Sequence, residues 1–116
     1  MMLAGAGLEA YVCAQSTDMR KSIDGLAALV LSVFRADPMC GQLFVFVSKR
    51  RDRVKILYWD RHGFALWYKR LERGRFAPVA GFAEHGVALP ELSLWLEGVD
   101  LIRTRRFARV EATRVL

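Results

Sequence analysis

The run Leu43-Phe44-Val45-Phe46-Val47 restricts the folding of this chain more than any other stretch. Strand side chains alternate between the two faces of a sheet, so five consecutive apolar residues leave neither face for water. The run reads as a central strand covered on both sides. Leu8 to Ala14 reads as a first strand, centred on Tyr11, Val12 and Cys13. Val54 to Trp59 alternates in part, setting Val54, Ile56 and Tyr58 against Lys55, Leu57 and Trp59. Phe64 to Leu71 sets Phe64, Leu66 and Tyr68 against Ala65, Trp67 and Lys69. A helix over Ala65–Arg73 capped by Gly74 competes with that last strand, but its aromatics favour the strand.

Turns and helices fill the intervals. Gln15-Ser16-Thr17-Asp18 is turn-like, and Asp18 and Ser22 are alternative N-caps for a helix running to about Arg35. Ile23, Leu26, Ala27, Val30, Val33 and Phe34 form its apolar stripe, while Leu29 and Leu31 lie off it. Such a helix is either covered on two sides or faces a partner. Pro38 and Gly41 end this unit. Asp60-Arg61-His62-Gly63 is a turn in which Gly63 is free to take positive φ. Glu72-Arg73-Gly74 is another, leading into Arg75–Val79. Val87-Ala88-Leu89 is a short strand, Pro90 opens a short helix and Gly98 caps it. The expected fold is α+β, a mostly antiparallel meander sheet packed by one long and one short helix. Residues 1–102 are expected to form a single α+β domain, with 103–116 a basic C-terminal tail or short helix.

A length of 116 residues fits one domain, and 53% hydrophobic content is too high for a disordered chain. No stretch of about 18 uncharged apolar residues offers a membrane span. Met1–Ala14 lacks a basic start and is interrupted by Glu9, unlike a signal peptide. Cys13 and Cys40 are too few for a disulfide framework and read as reduced thiols of a cytoplasmic protein.

The net charge of +6 is unevenly spread. Residues 49–75 carry ten basic and three acidic residues, 76–102 four acidic and no basic ones, and 103–116 five arginines against Glu111. Alternate turns of a meander fall at the same end of the sheet. Lys49, Arg50, Arg51 and Arg53 should therefore meet Lys69, Arg70, Arg73 and Arg75, with Arg61 and His62 at the opposite end. Arginine forks suit phosphate oxygens, so this patch is the candidate nucleic-acid-binding site. A plain solvated edge is the alternative. Tyr58, Trp59, Phe64, Trp67 and Tyr68 could stack nucleobases or simply fill the sheet's core face.

Signs of catalysis are absent from the pattern. Cys13, Cys40, His62 and His85 lack metal-ligand spacing. No nucleophile elbow, acidic-x-Lys triplet, paired-histidine nicking motif or phosphate-binding glycine loop occurs. Asp18, Asp24, Asp60 and Glu72 are the possible carboxylate set for a metal-dependent nuclease, but Asp18 and Asp24 read better as helix caps or local partners of Arg20 and Lys21, and no cofactor or metal is expected.

Thr17-Asp18-Met19-Arg20-Lys21-Ser22-Ile23-Asp24-Gly25-Leu26, followed by Gly41 to Phe46, Val54 to Asp60, Lys69 to Phe76 and Leu96 to Asp100, carries a resemblance. Over about residues 8–102 the chain resembles the TnpB (Orf2-like) accessory proteins of the bacterial insertion-sequence family sixty-six. The resemblance implies a role in DNA transposition beside a larger, catalytic transposase. It carries over no catalytic residue, and the roles of Asp18, Arg20, Lys21 and Lys69–Phe76 stay unassigned. Ser22 stands where the family usually has Gly, and Ala77-Pro78 where it often has Trp-Pro.

Two functions are therefore expected to compete. One is a non-catalytic subunit that binds DNA backbone through the basic patch. The other is an adaptor docked on the transposase of the same element, using the apolar helix and acidic segment 76–102. Self-association is compatible with either.

Overall fold

The computed structural model describes residues 8–79 and 86–98. Five strands form one sheet in the order β4-β3-β2-β1-β5. They are β1 (Glu9–Val12), β2 (Leu43–Val47), β3 (Arg53–Asp60), β4 (Gly63–Arg70) and β5 (Val87–Ala88). The helices are α1 (Ile23–Leu29), which continues as a π-helical segment (Val30–Phe34), and α2 (Leu89–Leu96). The α+β class is as expected. His85, the segment 80–85, residues 99–102 and the tail 103–116 lie outside the described residues.

β2, β3 and β4 form the expected antiparallel meander, with Val45 opposite Ile56 and Ile56 opposite Trp67. The Ala65–Arg73 helix alternative is excluded, because β4 pairs along its whole length with β3. The sheet is mixed, however, and not a continuous meander. β1 runs parallel to β2, with Tyr11 opposite Phe44. The reason is the helical crossover: α1 returns the chain to the end where β1 began, so β2 must start in the same direction. β5 then adds antiparallel to the far edge of β1.

All five residues of β2 are buried. Phe44 and Phe46 point to one face, where they join Leu26, Val30 and Leu57 under α1. Leu43, Val45 and Val47 point to the other, with Val54, Ile56, Phe76, Leu92 and Trp95 under α2. The sheet is thus the middle of three layers, which is what an uninterrupted apolar strand demands.

Arg75–Val79 is not a strand. Phe76 turns beneath the sheet and stacks on Trp95 with ring centroids 5.0 Å apart. Trp95 Nε1 also donates to the Ala77 carbonyl at 2.9 Å. These anchors, with Pro78 lacking a donor, take the chain off the edge of β4 and across the α2 face.

Three further details depart from expectation. Ser22 occupies the N-cap position of α1 without a side-chain cap bond, whereas Asp18 closes an earlier turn. The π-helical segment changes the register, so Phe34 packs inward while Leu31 and Val33 are exposed. Positive φ in the β3–β4 hairpin belongs to Arg61 (58°), not Gly63. The aromatics mostly fill the layers: Tyr58 and Trp67 pack on the α2 side, and Phe64 on the α1 side. Trp59 packs edge-on against Phe64, so a continuous stacking platform is not formed. Tyr68 alone of the set is largely exposed, with the Lys55 ammonium 5.2 Å from its ring centre.

Candidate nucleic-acid interface

The basic end of the sheet begins with the β2–β3 hairpin. Ser48 organises it. Its backbone N–H donates to the Arg53 carbonyl at 3.0 Å, and its hydroxyl oxygen accepts from the Asp52 and Arg53 N–H groups at 3.3 and 3.1 Å. The same hydroxyl donates to the Asp52 carboxylate at 3.1 Å. Arg51 adopts a left-handed conformation with φ 59°. The result is a tight loop that leaves Lys49 and Arg50 at its tip, both exposed.

The chain leaving β4 is clasped onto this hairpin. Leu71 N–H donates to the Asp52 carbonyl at 2.7 Å, and Phe76 N–H to the Arg51 carbonyl at 2.6 Å. Arg51 Nη1 returns a bond to the Phe76 carbonyl at 3.1 Å. Residues 72–75 are held between those anchor points, with Arg73 and Arg75 exposed. Register does the rest, because Arg53 lies directly opposite Arg70. Like charges facing each other across two strands repel. Arg61 and His62 sit at the other end, in the β3–β4 turn.

The eight candidate cations are therefore near one another in the fold, but they do not share one role. Lys49, Arg50, Arg73 and Arg75 make no hydrogen bond or ion pair among the described residues. Arg70 is held by Glu72 at 3.1 Å on the surface. Arg51 is spent on the Phe76 clasp. Lys69 pairs opposite Val54 and so faces the α2 layer, where its ammonium donates to the Leu96 carbonyl at 3.2 Å. It caps the end of α2, where exposed carbonyls favour a cation. Arg53 is half-buried, and its Nε is buried without a partner.

A second segment reaches the same end. After β1 the chain stays beside β2: Cys13 N–H donates to the Val45 carbonyl and Thr17 N–H to the Val47 carbonyl, both at 2.9 Å. Asp18 then accepts from the Arg20 backbone N–H at 2.9 Å and from its guanidinium at 2.7 Å. Arg20's side-chain and backbone hydrogen bonds hold the Asp18 carboxyl at about 2, well below its ordinary value, and the carboxylate raises the arginine's pKa in turn. Lys55, on β3, reaches across and donates to the Met19 and Lys21 carbonyls at 2.8 and 2.7 Å. Charge patterning pointed to the hairpin and the β4 exit but not to Ser48 or to the Thr17–Lys21 segment. The available signals were a serine closing an apolar run, and a turn motif placed just after a strand.

Among the described residues, no group of three or more His, Cys, Asp or Glu side chains is placed to hold a metal ion. No helix there is long and apolar enough to cross a membrane.

Residues 8–106 match the family model described as IS66 Orf2 like protein. The chain is 42% identical over 111 residues to the uncharacterized protein y4jC of Sinorhizobium fredii, covering 94% of each chain. It is 34% identical over 101 residues to the uncharacterized protein y4hO of the same organism, covering 86% of this chain and 88% of that one. No solved structure matches it.

Proposed function

Because the chain belongs to the IS66 Orf2-like family, and is thus a transposition-associated accessory protein, we propose that it grips DNA backbone through the basic end of its sheet. The observation that carries this reading is the clasp between the β2–β3 hairpin and the β4 exit. It holds Lys49 and Arg50 beside Arg73 and Arg75, and none of the four has a carboxylate partner among the described residues. Concentrating unpaired cations costs electrostatic free energy, and a polyanion offsets that cost while releasing its own counterions. The role is non-catalytic, since it needs only positioning and charge.

The test is a variant with Lys49, Arg50, Arg73 and Arg75 all replaced by Ala, assayed for duplex binding by gel shift. Arg51 and Lys69 are left intact because they hold the fold. Loss of binding with an unchanged circular dichroism spectrum is the expected result. Binding as tight as that of the unaltered protein would sink the proposal.

One observation favours a second reading, an adaptor docked on the element's transposase. Leu31 and Val33 stand 59% and 47% exposed on the π-helical segment, where water gains nothing from them. Replacing both by Asp would abolish co-purification with the transposase in high salt if this reading is right, and leave it intact if not.

A further inference from the structure

The segment Thr17-Asp18-Met19-Arg20-Lys21 has no part in the reading above, yet it is built with care. Thr17 is tied to the end of β2, Lys55 holds two of the segment's carbonyls, and Asp18 locks Arg20 into a turn. Facing it is the Ser48–Arg53 hairpin. A cleft of about 350 Å³ lies between the two, lined by Thr17–Arg20 on one side and by Ser48, Lys49, Arg50, Asp52 and Arg53 on the other. That volume falls within the range of small-ligand pockets, about 300–1,000 Å³.

The charges in this cleft do not balance internally. Asp18 is paired with Arg20, and the Asp52 carboxylate accepts the Ser48 hydroxyl. Lys49, Arg50 and Arg53 are left without carboxylates among the described residues. Arg53 carries the strongest demand. No donor of its guanidinium has a protein partner among the described residues, its Nε is buried, and Arg70 faces it across the strands. A buried donor left unmade destabilises the fold unless something outside the chain takes its place. The cleft also sits at the carboxyl ends of the parallel pair β1 and β2, flanking the crossover helix.

We propose that this cleft is a phosphate subsite, which seats one phosphodiester group of the bound DNA between Arg53 and Arg50 on one wall and Arg20 on the other. The proposal rests on the DNA-binding reading and extends that interface from the hairpin tip to the Thr17–Lys21 segment. Guanidinium forks match the paired oxygens of a phosphate, and the Asp18 bond presents Arg20 at a fixed angle.

Two measurements on the full chain test it. In amide NMR of the ¹⁵N-labelled protein, a short duplex should shift Thr17–Lys21 together with Ser48–Arg53. By anisotropy, Arg53→Gln should make the log–log salt dependence shallower by about 0.9, the share of one phosphate contact, and Arg53→Lys should restore most of it. If Arg53→Gln fails to fold, the NMR titration of the unaltered protein decides alone. Binding with residues 17–21 unshifted, or with an unchanged slope in a folded Arg53→Gln, overturns the subsite and leaves the wider DNA reading standing. Absence of any duplex binding removes both.

Discussion

Asp18 and Lys55 fix the Thr17–Lys21 segment from opposite sides, one by closing its turn and the other by holding its carbonyls. Asp18 titrates at about 2 in the folded chain, against an ordinary value of 3.8, because Arg20 bonds its ionised form. A carboxyl depressed on folding contributes stability above its unfolded pKa and loses it as pH falls through the folded one. The turn should therefore persist at pH 4 and open as pH falls toward 2. The carboxyl carbon shift of Asp18, followed by NMR, checks this; a midpoint near 3.8 would mean the Arg20 bond does not persist in solution. Lys55→Met keeps the aliphatic stem but deletes both bonds to Met19 and Lys21. A part-buried bond from a charged donor is worth about 1.5–3 kcal/mol, and water replaces the exposed bond to Lys21, so urea unfolding should show a loss of about 1.5–3 kcal/mol. A change under about 0.5 kcal/mol would place the anchor elsewhere.

At the scale of elements, Trp95 joins α2 to the loop that follows β4. It is fully buried, stacks on Phe76 and donates to Ala77. Trp95→Phe, which spares most of the ring, should cost about 1–2 kcal/mol, and Trp95→Ala about 3–5 kcal/mol. Equal costs for the two in urea unfolding would argue that the indole N–H, not the packed ring, is what matters. The β2–β3–β4 meander was legible in the sequence because strand periodicity and turn residues agree there. The parallel placement of β1 was not, since apolar pattern alone carries no direction; only the helical crossover sets it. The fate of Arg75–Val79 was likewise hidden. Phe76 reads equally well as a strand residue or as an anchor, and the choice depends on Trp95, nineteen positions away. The π-helical turn has no sequence signature, so Val33 read as an inward residue although the extra residue per turn carries it outward.

For the molecule as a whole, the three layers leave chemistry to the sheet's ends. One end carries the Arg61–His62 turn. The other gathers the β1 exit, the β2–β3 hairpin and the β4 exit. The gathering of the two basic sequence clusters was readable from meander topology. Their division of labour was not, because charge count cannot distinguish Lys69, which caps α2, or Arg51, which holds Phe76, from the exposed Arg50 and Arg73. The most direct test of the central claim is fluorescence anisotropy of the unaltered protein against element-end and scrambled duplexes over a salt series. Four phosphate contacts, from Lys49, Arg73, Arg75 and the phosphate shared by Arg50 and Arg53, predict a log–log slope of about −3.6. Absence of binding at low salt, or binding with a slope near zero, would contradict a phosphate-gripping role for this end of the sheet.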